Sequence, residues 1–374
     1  MKFTEVIGQE EVKQKLVKTV KTSRVSHAQL FLGPPGSGKL ALAIAYAQFI
    51  NCKNKTGEDA CGECPSCIKY AKLAHPDLHF IYPTATVKGI DKPMSKDFIA
   101  QWRELLLENN AYISLSDWHN KIGIEKKQSI INARDCNEII KTLSYKSFEA
   151  EYKVMVIWMA EKLFHSAAPK ILKILEEPPD RTLFILISEN QDQVINTILS
   201  RTQLVKIPRI EDDVLSSYLI NKNHEPSVVH DVVRIANGDF LQAKFLISNR
   251  NEEAESFSLY VKWMRLCYKN SVDETIGFVN EVSKYPREKQ KNLLNFALRM
   301  TREGLLLNLG VGQVTKLNRS ESDFMKKFHQ FINNRNGEAI INELNQSIYH
   351  IERNANAGIL FLDLSLKIGK MIKA

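Results

Sequence analysis

Gly33-Pro34-Pro35-Gly36-Ser37-Gly38-Lys39 follows the apolar run Ala28–Leu32 and precedes a helical run, Leu40–Phe49. A buried strand, a glycine-rich turn and a helix in this order form a phosphate-binding loop, or P-loop. The glycines let backbone N–H groups converge on phosphate oxygens, and the helix N-terminus adds partial positive charge. Gly33, Gly36, Gly38 and Lys39 are therefore the candidate nucleotide-binding residues, with Lys39 placed to reach β- and γ-phosphates. A working loop continues with Ser or Thr, whose hydroxyl ligates Mg²⁺. Here the next residue is Leu40, which has no ligand atom.

The second half of such a site belongs at the end of a later buried strand, and Lys153–Ile157 is that strand. A metal-binding Asp, often followed by a water-activating Glu, is expected directly after it. The chain has Trp158 and Met159 instead. Glu161 is expected on the following helix, turned away from the loop. Phosphoryl transfer depends on an electrostatic clamp around the phosphates, so joint loss of these groups argues against hydrolysis. The isolated chain is expected to have no ATPase activity. Whether the loop holds ATP, ADP or nothing is left open by the residues.

Working outward, the runs Ala28–Leu32, Leu78–Tyr82, Lys153–Trp158, Thr182–Ser188 and Gln203–Ile207 read as strands. Most are continuously apolar, as expected of strands covered on both faces of a parallel sheet. Helical segments between them suit right-handed crossovers, so the chain to Pro208 reads as α/β with a doubly wound parallel sheet. Ten of the twelve prolines lie at or before Pro208 and none follows Pro286. Beyond Pro208 the pattern turns helical: Asp212–Asn221, Ser227–Ala236 and Gly238–Ile247 make a small bundle, and longer helices follow. Ile348, Ile351, Ala355, Ile359, Leu362 and Leu366 step by three or four residues and predict one apolar stripe. Thr84–Lys121 breaks the strand–helix rhythm and reads as an insertion. It carries Trp102, Trp118 and a predicted helix over 95–108, and is expected to pack on the surface with the two tryptophans as anchors; a partner or DNA contact is the alternative.

The chain has 374 residues, 44% hydrophobic and 25% charged, with a net charge of +8. That length suggests two or three domains with sizeable cores. Disorder and small disulfide scaffolds are excluded by composition. No apolar run approaches the roughly 18 residues a membrane span needs, and the start lacks a signal-peptide run, so a cytoplasmic protein without membrane contact is expected. The modest basic excess permits nucleic-acid contact without requiring it.

Four of six cysteines form the pattern Cys52-x8-Cys61-x2-Cys64-x2-Cys67. Clustered thiolates in a cytoplasmic chain point to a metal site, and four close a tetrahedral zinc shell. Such a zinc is structural, because no coordination position stays open. An iron–sulfur cluster or metal-free thiols remain chemical alternatives. His75, nearby, is expected to cap or pack.

Val6-Ile7-Gly8-Gln9-Glu10, Ser26-His27-Ala28, the P-loop, the cysteine cluster, His75-Pro76-Asp77, Leu175-Glu176-Glu177-Pro178-Pro179 and Ser200-Arg201 occur in this order. Together they resemble the bacterial clamp-loader AAA+ family of DNA polymerase III. The degenerate nucleotide site resembles its delta prime branch more than the motor branch, gamma/tau. The resemblance is strong to about residue 208 and looser beyond, where Asn354-Ala355-Asn356-Ala357 is similar to the family's collar helix. It implies an AAA+ P-loop domain over 1–208 with a zinc module at about 52–67 and the insertion at about 84–121. A helical lid over 209–248 and a helical collar over 249–374 follow. It implies that Arg201 is an arginine finger acting in trans on a neighbouring subunit's ATP, a task suited to its planar fork. It places Leu241 where working relatives carry a phosphate-sensing arginine. Thr202 departs from the family, which has Cys after Ser-Arg. The implied partners are gamma/tau and delta subunits, with the sliding clamp and primer–template DNA reached through the complex. The rival readings are an active AAA+ ATPase, opposed by Leu40, Trp158 and Met159, and a free-standing zinc-dependent DNA-binding protein, opposed by the lack of a basic–aromatic stripe.

Overall fold

The computed structural model describes residues 1–125, 127–164, 168–269 and 271–373. The chain divides into two compact units, Met1–His224 with Ala236–Ala243, and Glu225–Ile235 with Lys244–Ala374.

The first unit is built on five strands: β1 (Ala28–Leu32), β2 (Leu78–Ile81), β3 (Lys153–Trp158), β4 (Thr182–Ser188) and β5 (Gln203–Lys206). Their order is β2-β3-β4-β1-β5, and every pairing is parallel. The strands expected from the apolar runs are all present, β2 and β5 each ending one residue early. β3 and β4 are buried along their whole length, which explains their unbroken apolar sequence. β5 is an edge strand and mostly exposed.

The helices of this unit are α1 (Glu10–Lys21), α2 (Lys39–Ile50), α3 (Pro65–Ala71), α4 (Ile99–Glu108), α5 (Leu115–Ile122), α6 (Ala133–Ser144), α7 (Ala168–Glu176), α8 (Asn196–Leu199) and α9 (Asp212–Asn221). Every residue of α2 is buried. It is apolar all round, as a helix enclosed in a core must be. The P-loop therefore sits on a rigid strand and a rigid helix.

The insertion carries α4, preceded by a 3₁₀ turn over Ser95–Phe98, and α5. Trp102 and Trp118 are fully buried. Trp102 stacks on Tyr82 at 4.1 Å, and Trp118 meets Trp102 edge-on at 5.1 Å. Trp118 donates its indole N–H to the Pro83 carbonyl at 2.8 Å. Both anchors thus enter an aromatic core at the end of β2.

The turn before β2 is fixed by His75-Pro76-Asp77. His75 Nδ1 accepts the Asp77 N–H at 3.1 Å, and its ring lies 4.6 Å from that of Tyr70. The Asp77 carboxylate accepts backbone N–H groups from Phe148 at 2.6 Å and from Glu149 and Ala150 at 2.9 Å. One buried side chain therefore ties the loop entering β3 to the start of β2. Burial raises the Asp77 pKa, but the three N–H donors outweigh it and the carboxyl titrates below its ordinary range.

In sequence, α10 (Pro226–Ala236) and α11 (Phe240–Ser248) cross the division. The second unit continues with α12 (Arg250–Lys269), α13 (Val272–Val282), α14 (Arg287–Asn308), α15 (Arg319–Phe328), α16 (Gly337–Glu352) and α17 (Ala357–Met371). Trp263, Phe278, Leu294, Met300, Leu344 and Phe361 lie at its core. The apolar stripe expected over 348–366 is not one face of one helix. Asn354 adopts a left-handed conformation (φ 68°), and the Asn356 side chain caps α17 by accepting the Ile359 N–H at 3.1 Å. The break rotates the pattern: Ile359 is 71% exposed, and α17 buries Phe361, Leu364 and Ile368 instead. Asn354-Ala355-Asn356-Ala357, compared above with a collar helix, is the turn between α16 and α17 together with the first residue of α17. Asparagine favours both a left-handed stop and an N-cap, and the periodicity count ignored both.

Asp77→Ala is expected to lower stability by about 1–3 kcal/mol at neutral pH, because buried N–H donors lose their acceptor. Because its folded pKa is depressed, Asp77 stabilises above the ordinary carboxylate range and loses that effect as pH falls through its folded pKa. The gap between wild type and variant should therefore narrow in acid. Urea unfolding followed by tryptophan fluorescence at several pH values measures it.

Candidate functional site

The P-loop has the expected backbone. Gly36 and Gly38 both have positive φ, 67° and 84°. Gly38 precedes α2 and supplies the left-handed turn into it. Protein groups pack closely around the loop. A Cβ on Gly36 would lie 1.9 Å from Asp239 Oδ1, and one on Gly38 would lie 2.9 Å from the Tyr112 hydroxyl. The Phe240 N–H points to the Gly36 carbonyl at 3.4 Å, and Gln9 donates to the Ser37 carbonyl at 3.1 Å. The Tyr112 hydroxyl accepts the Ile7 N–H at 2.9 Å, and the rings of Tyr112 and Phe240 meet edge-on at 4.8 Å. The glycines thus admit protein groups at close range.

Lys39 is only 6% exposed. Its ammonium donates to the Pro34 carbonyl at 2.6 Å and lies 3.5 Å from Glu189 Oε1. Burial draws the Lys39 pKa below its ordinary range, opposed first by Glu189 and then by Glu161 and Asp239. Burial likewise raises the Glu189 pKa, opposed by Lys39 and reinforced by Glu161 and Asp239. Each group favours the charged form of the other, against the burial that opposes both.

Glu161 is not turned away as expected. It lies in a 3₁₀ turn, Ala160–Lys162, and accepts the Glu189 N–H at 3.2 Å. Met159, left-handed at φ 58°, redirects the chain directly after β3 and ends the straight course a helix would need. Glu161 and Asp239 thus add negative charge to that of Glu189 around the one lysine.

Trp158 ends β3 where a metal-binding Asp was sought. It is buried and lies 5.1 Å from Trp102 of the insertion. Leu40 is buried as well. The insertion therefore reaches both halves of the site, with Tyr112 against Gly38 and Trp102 against Trp158. Sequence reasoning missed Glu189, Asp239, Tyr112 and Phe240. Only Glu189 carried a signal, since it directly follows a buried parallel strand, where ligand-facing residues of α/β sheets lie.

Arg201 follows α8 and precedes β5. Its guanidinium Nη1 donates to the Thr197 carbonyl at 3.0 Å and to Ser200 Oγ at 3.1 Å. Its Nε and Nη2 engage the Glu176 carboxylate at the end of α7. Arg201 retains 33% of its side-chain exposure. The fork is oriented yet accessible, and an exposed pair of this kind holds it weakly. Thr202 turns inward and donates to the Ile198 carbonyl at 3.0 Å. Leu241 is the second residue of α11, next to the Asp239 cap that accepts the Gln242 N–H at 3.1 Å.

The structure brings Cys52, Cys61, Cys64 and Cys67 together, with all four sulfurs within 4.8 Å of one another. Cys52 Sγ lies 3.6 Å from Cys61 Sγ, which lies 3.9 Å from Cys67 Sγ. These separations exceed a disulfide bond and match the edge of about 3.8 Å that follows from Zn–S bonds of about 2.3 Å in a tetrahedron. Cys61 N–H points to Cys52 Sγ and Cys64 N–H to Cys61 Sγ, each at 3.3 Å, as thiolates require. Burial raises the Cys64 pKa, but backbone donors and the neighbouring sulfurs outweigh it and bring it to about 6. The donor set fits a metal ion. His75 is outside it, engaged in its own turn.

The sequence matches the family described as DNA polymerase III, delta subunit, over residues 8–211. It is 25% identical over 305 residues to DNA polymerase III subunit delta' of Bacillus subtilis, covering 81% of this chain and 78% of that one. It is 26% identical over 214 residues to subunit tau of the same organism, covering 57% of this chain and 30% of tau. A DNA polymerase III gamma subunit-related protein from Thermotoga maritima aligns over 96% of this chain and 99% of that one, with 14% identity and a TM-score of 0.38. Among the described residues no helix is long and apolar enough to cross a membrane. With its P-loop, its cysteine cluster and Arg201 all inside the matched stretch, the chain belongs to the DNA polymerase III delta subunit family.

Proposed function

We propose that this chain is a non-catalytic, delta prime-type subunit of the DNA polymerase III clamp loader, lending Arg201 to a neighbouring ATPase subunit while the sliding clamp is loaded onto primer–template DNA. The single observation that carries the reading is the engagement of Lys39 by Glu189 at 3.5 Å inside a P-loop lined by its own protein groups. Leu40, Trp158 and Met159 supply no metal ligand and no carboxylate to activate water. Gly33, Gly36, Gly38 and Lys39 are accordingly read as a retained scaffold, not a nucleotide site. Similarity to both delta' and tau supports clamp-loader kinship, and the delta' match, which spans most of both chains, supports the non-motor role.

In this reading residues 1–208 are the AAA+ body, 209–248 a lid and 249–374 a collar for assembly with gamma/tau and delta subunits in the cytoplasm. The four-cysteine cluster holds a structural zinc that anchors the end of α2 to α3. Bound there, the ion supplies cross-linking of the short segment and no reactive chemistry. The weak hold of Glu176 on Arg201 lets the guanidinium transfer to a γ-phosphate presented by the neighbour.

Arg201→Ala is expected to leave the subunit folded and assembled. Hydrolysis at the one adjoining site should fall by roughly 10³–10⁵. The whole complex should lose only part of its clamp- and DNA-stimulated ATPase, and Arg201→Lys should recover little. Steady-state ATPase and clamp loading by reconstituted complexes measure this, and wild-type rates in both would refute the finger. For the cluster, metal analysis of protein purified without chelator should find one zinc per chain. Cys64→Ser should release it and lower the melting temperature. Four freely titrating thiols and no zinc would refute it.

A further inference from the structure

The sheet leaves a basic groove along the outer side of β5. Helix α1 and β5 enclose about 650 Å³, walled by Leu16, Leu204 and Val205 and rimmed by Lys18, Arg24 and Lys206. Among the described residues no acidic side chain lines it. At its inner wall Gln29 is 1% exposed, and its amide oxygen Oε1 has no hydrogen-bond partner among the described residues. The Gln29 NH₂ is already committed to the Ser26 carbonyl and the Tyr46 hydroxyl, each at 3.3 Å. The amide oxygen is thus the half of Gln29 still lacking a donor.

The edge itself is also incomplete. The Ile207 N–H donates to the Leu32 carbonyl at 2.8 Å, toward β1. Alternation along a strand then turns the N–H groups of Leu204 and Lys206 to the open side. Among the described residues, no backbone partner faces them there. An edge with unpaired N–H and C=O groups is a template for another strand.

We propose that this groove docks an extended segment of a partner protein, alternating acidic and apolar residues, as a sixth strand beside β5. Its apolar side chains pack on Leu16 and Leu204, and its carboxylates face Lys18, Arg24 and Lys206. Its backbone completes the Leu204 and Lys206 amides. A nucleic-acid strand fits the charge but not the rest: among the described residues no aromatic side chain lines the groove for base stacking, and a phosphate backbone does not match the repeat of edge amides. This surface is independent of the role given to Arg201.

The probe is a fluorescein-labelled octapeptide alternating glutamate with valine, added to the full chain. Saturating peptide should slow hydrogen exchange at the Leu204 and Lys206 amides by about tenfold or more, while Val205, already in the ladder, changes little. The double variant Lys18→Glu/Arg24→Glu, which leaves β5 untouched, should weaken binding by about tenfold or more. Leu204→Pro removes one outward N–H at an edge position where proline is tolerated, and should abolish binding. Absence of protection at Leu204 and Lys206, or full binding by the charge-reversal variant, overturns the proposal. Binding of a single-stranded DNA oligonucleotide that displaces the peptide and survives Leu204→Pro also overturns it, in favour of a nucleic-acid groove.

Discussion

The contact between Lys39 and Glu189 governs how the rest of this molecule is understood. A P-loop lysine in a nucleotide site is held ready for phosphate by a loop of N–H groups with no competing anion. Here the ammonium has a carboxylate at 3.5 Å and a carbonyl at 2.6 Å, and it is almost entirely buried. Glu161 and Asp239 add negative charge from two other segments. A nucleotide would have to take this lysine from Glu189, with Glu161 and Asp239 adding to the negative charge around it.

The fold makes this arrangement rigid. β1, β3 and β4 lie side by side at the sheet centre, so the residues after each of them converge: the P-loop after β1, Trp158 after β3 and Glu189 after β4. In an active enzyme the same convergence assembles metal ligand, nucleophile activator and phosphate cradle. In this chain it assembles an ion pair and an aromatic wall, and the insertion buttresses both. Trp102 packs on the very residue that replaces the metal-binding carboxylate. Arg201 lies just before the edge strand, oriented by Thr197, Ser200 and Glu176 and still partly exposed.

Much of this was legible in the residues. The five strands read correctly because buried parallel strands are unbroken apolar runs, and the meeting of the four cysteines in one cluster that could hold a metal was legible from their spacing. Loss of the metal ligands at Leu40 and Trp158 was visible as well. Glu189, Asp239 and Tyr112 were not, because each comes from a different segment and no local pattern says that the segments meet at Lys39. Glu161 was misplaced because a 3₁₀ turn after a left-handed Met159 looks, in sequence, like the first turn of a helix. The stripe over 348–366 failed for a related reason: counting steps of three and four assumes an unbroken helix, and Asn354 breaks it.

The central claim, that Lys39 is held by the protein's own Glu189 and not offered to a nucleotide, is tested most directly by equilibrium binding. Isothermal titration of the purified chain with Mg²⁺–ATP and Mg²⁺–ADP should show no saturable heat up to about 1 mM, a limit of roughly 4 kcal/mol in binding free energy. Saturable binding in the micromolar range that disappears in Lys39→Ala would contradict the account, because it would mean that phosphate displaces Glu189 from the lysine.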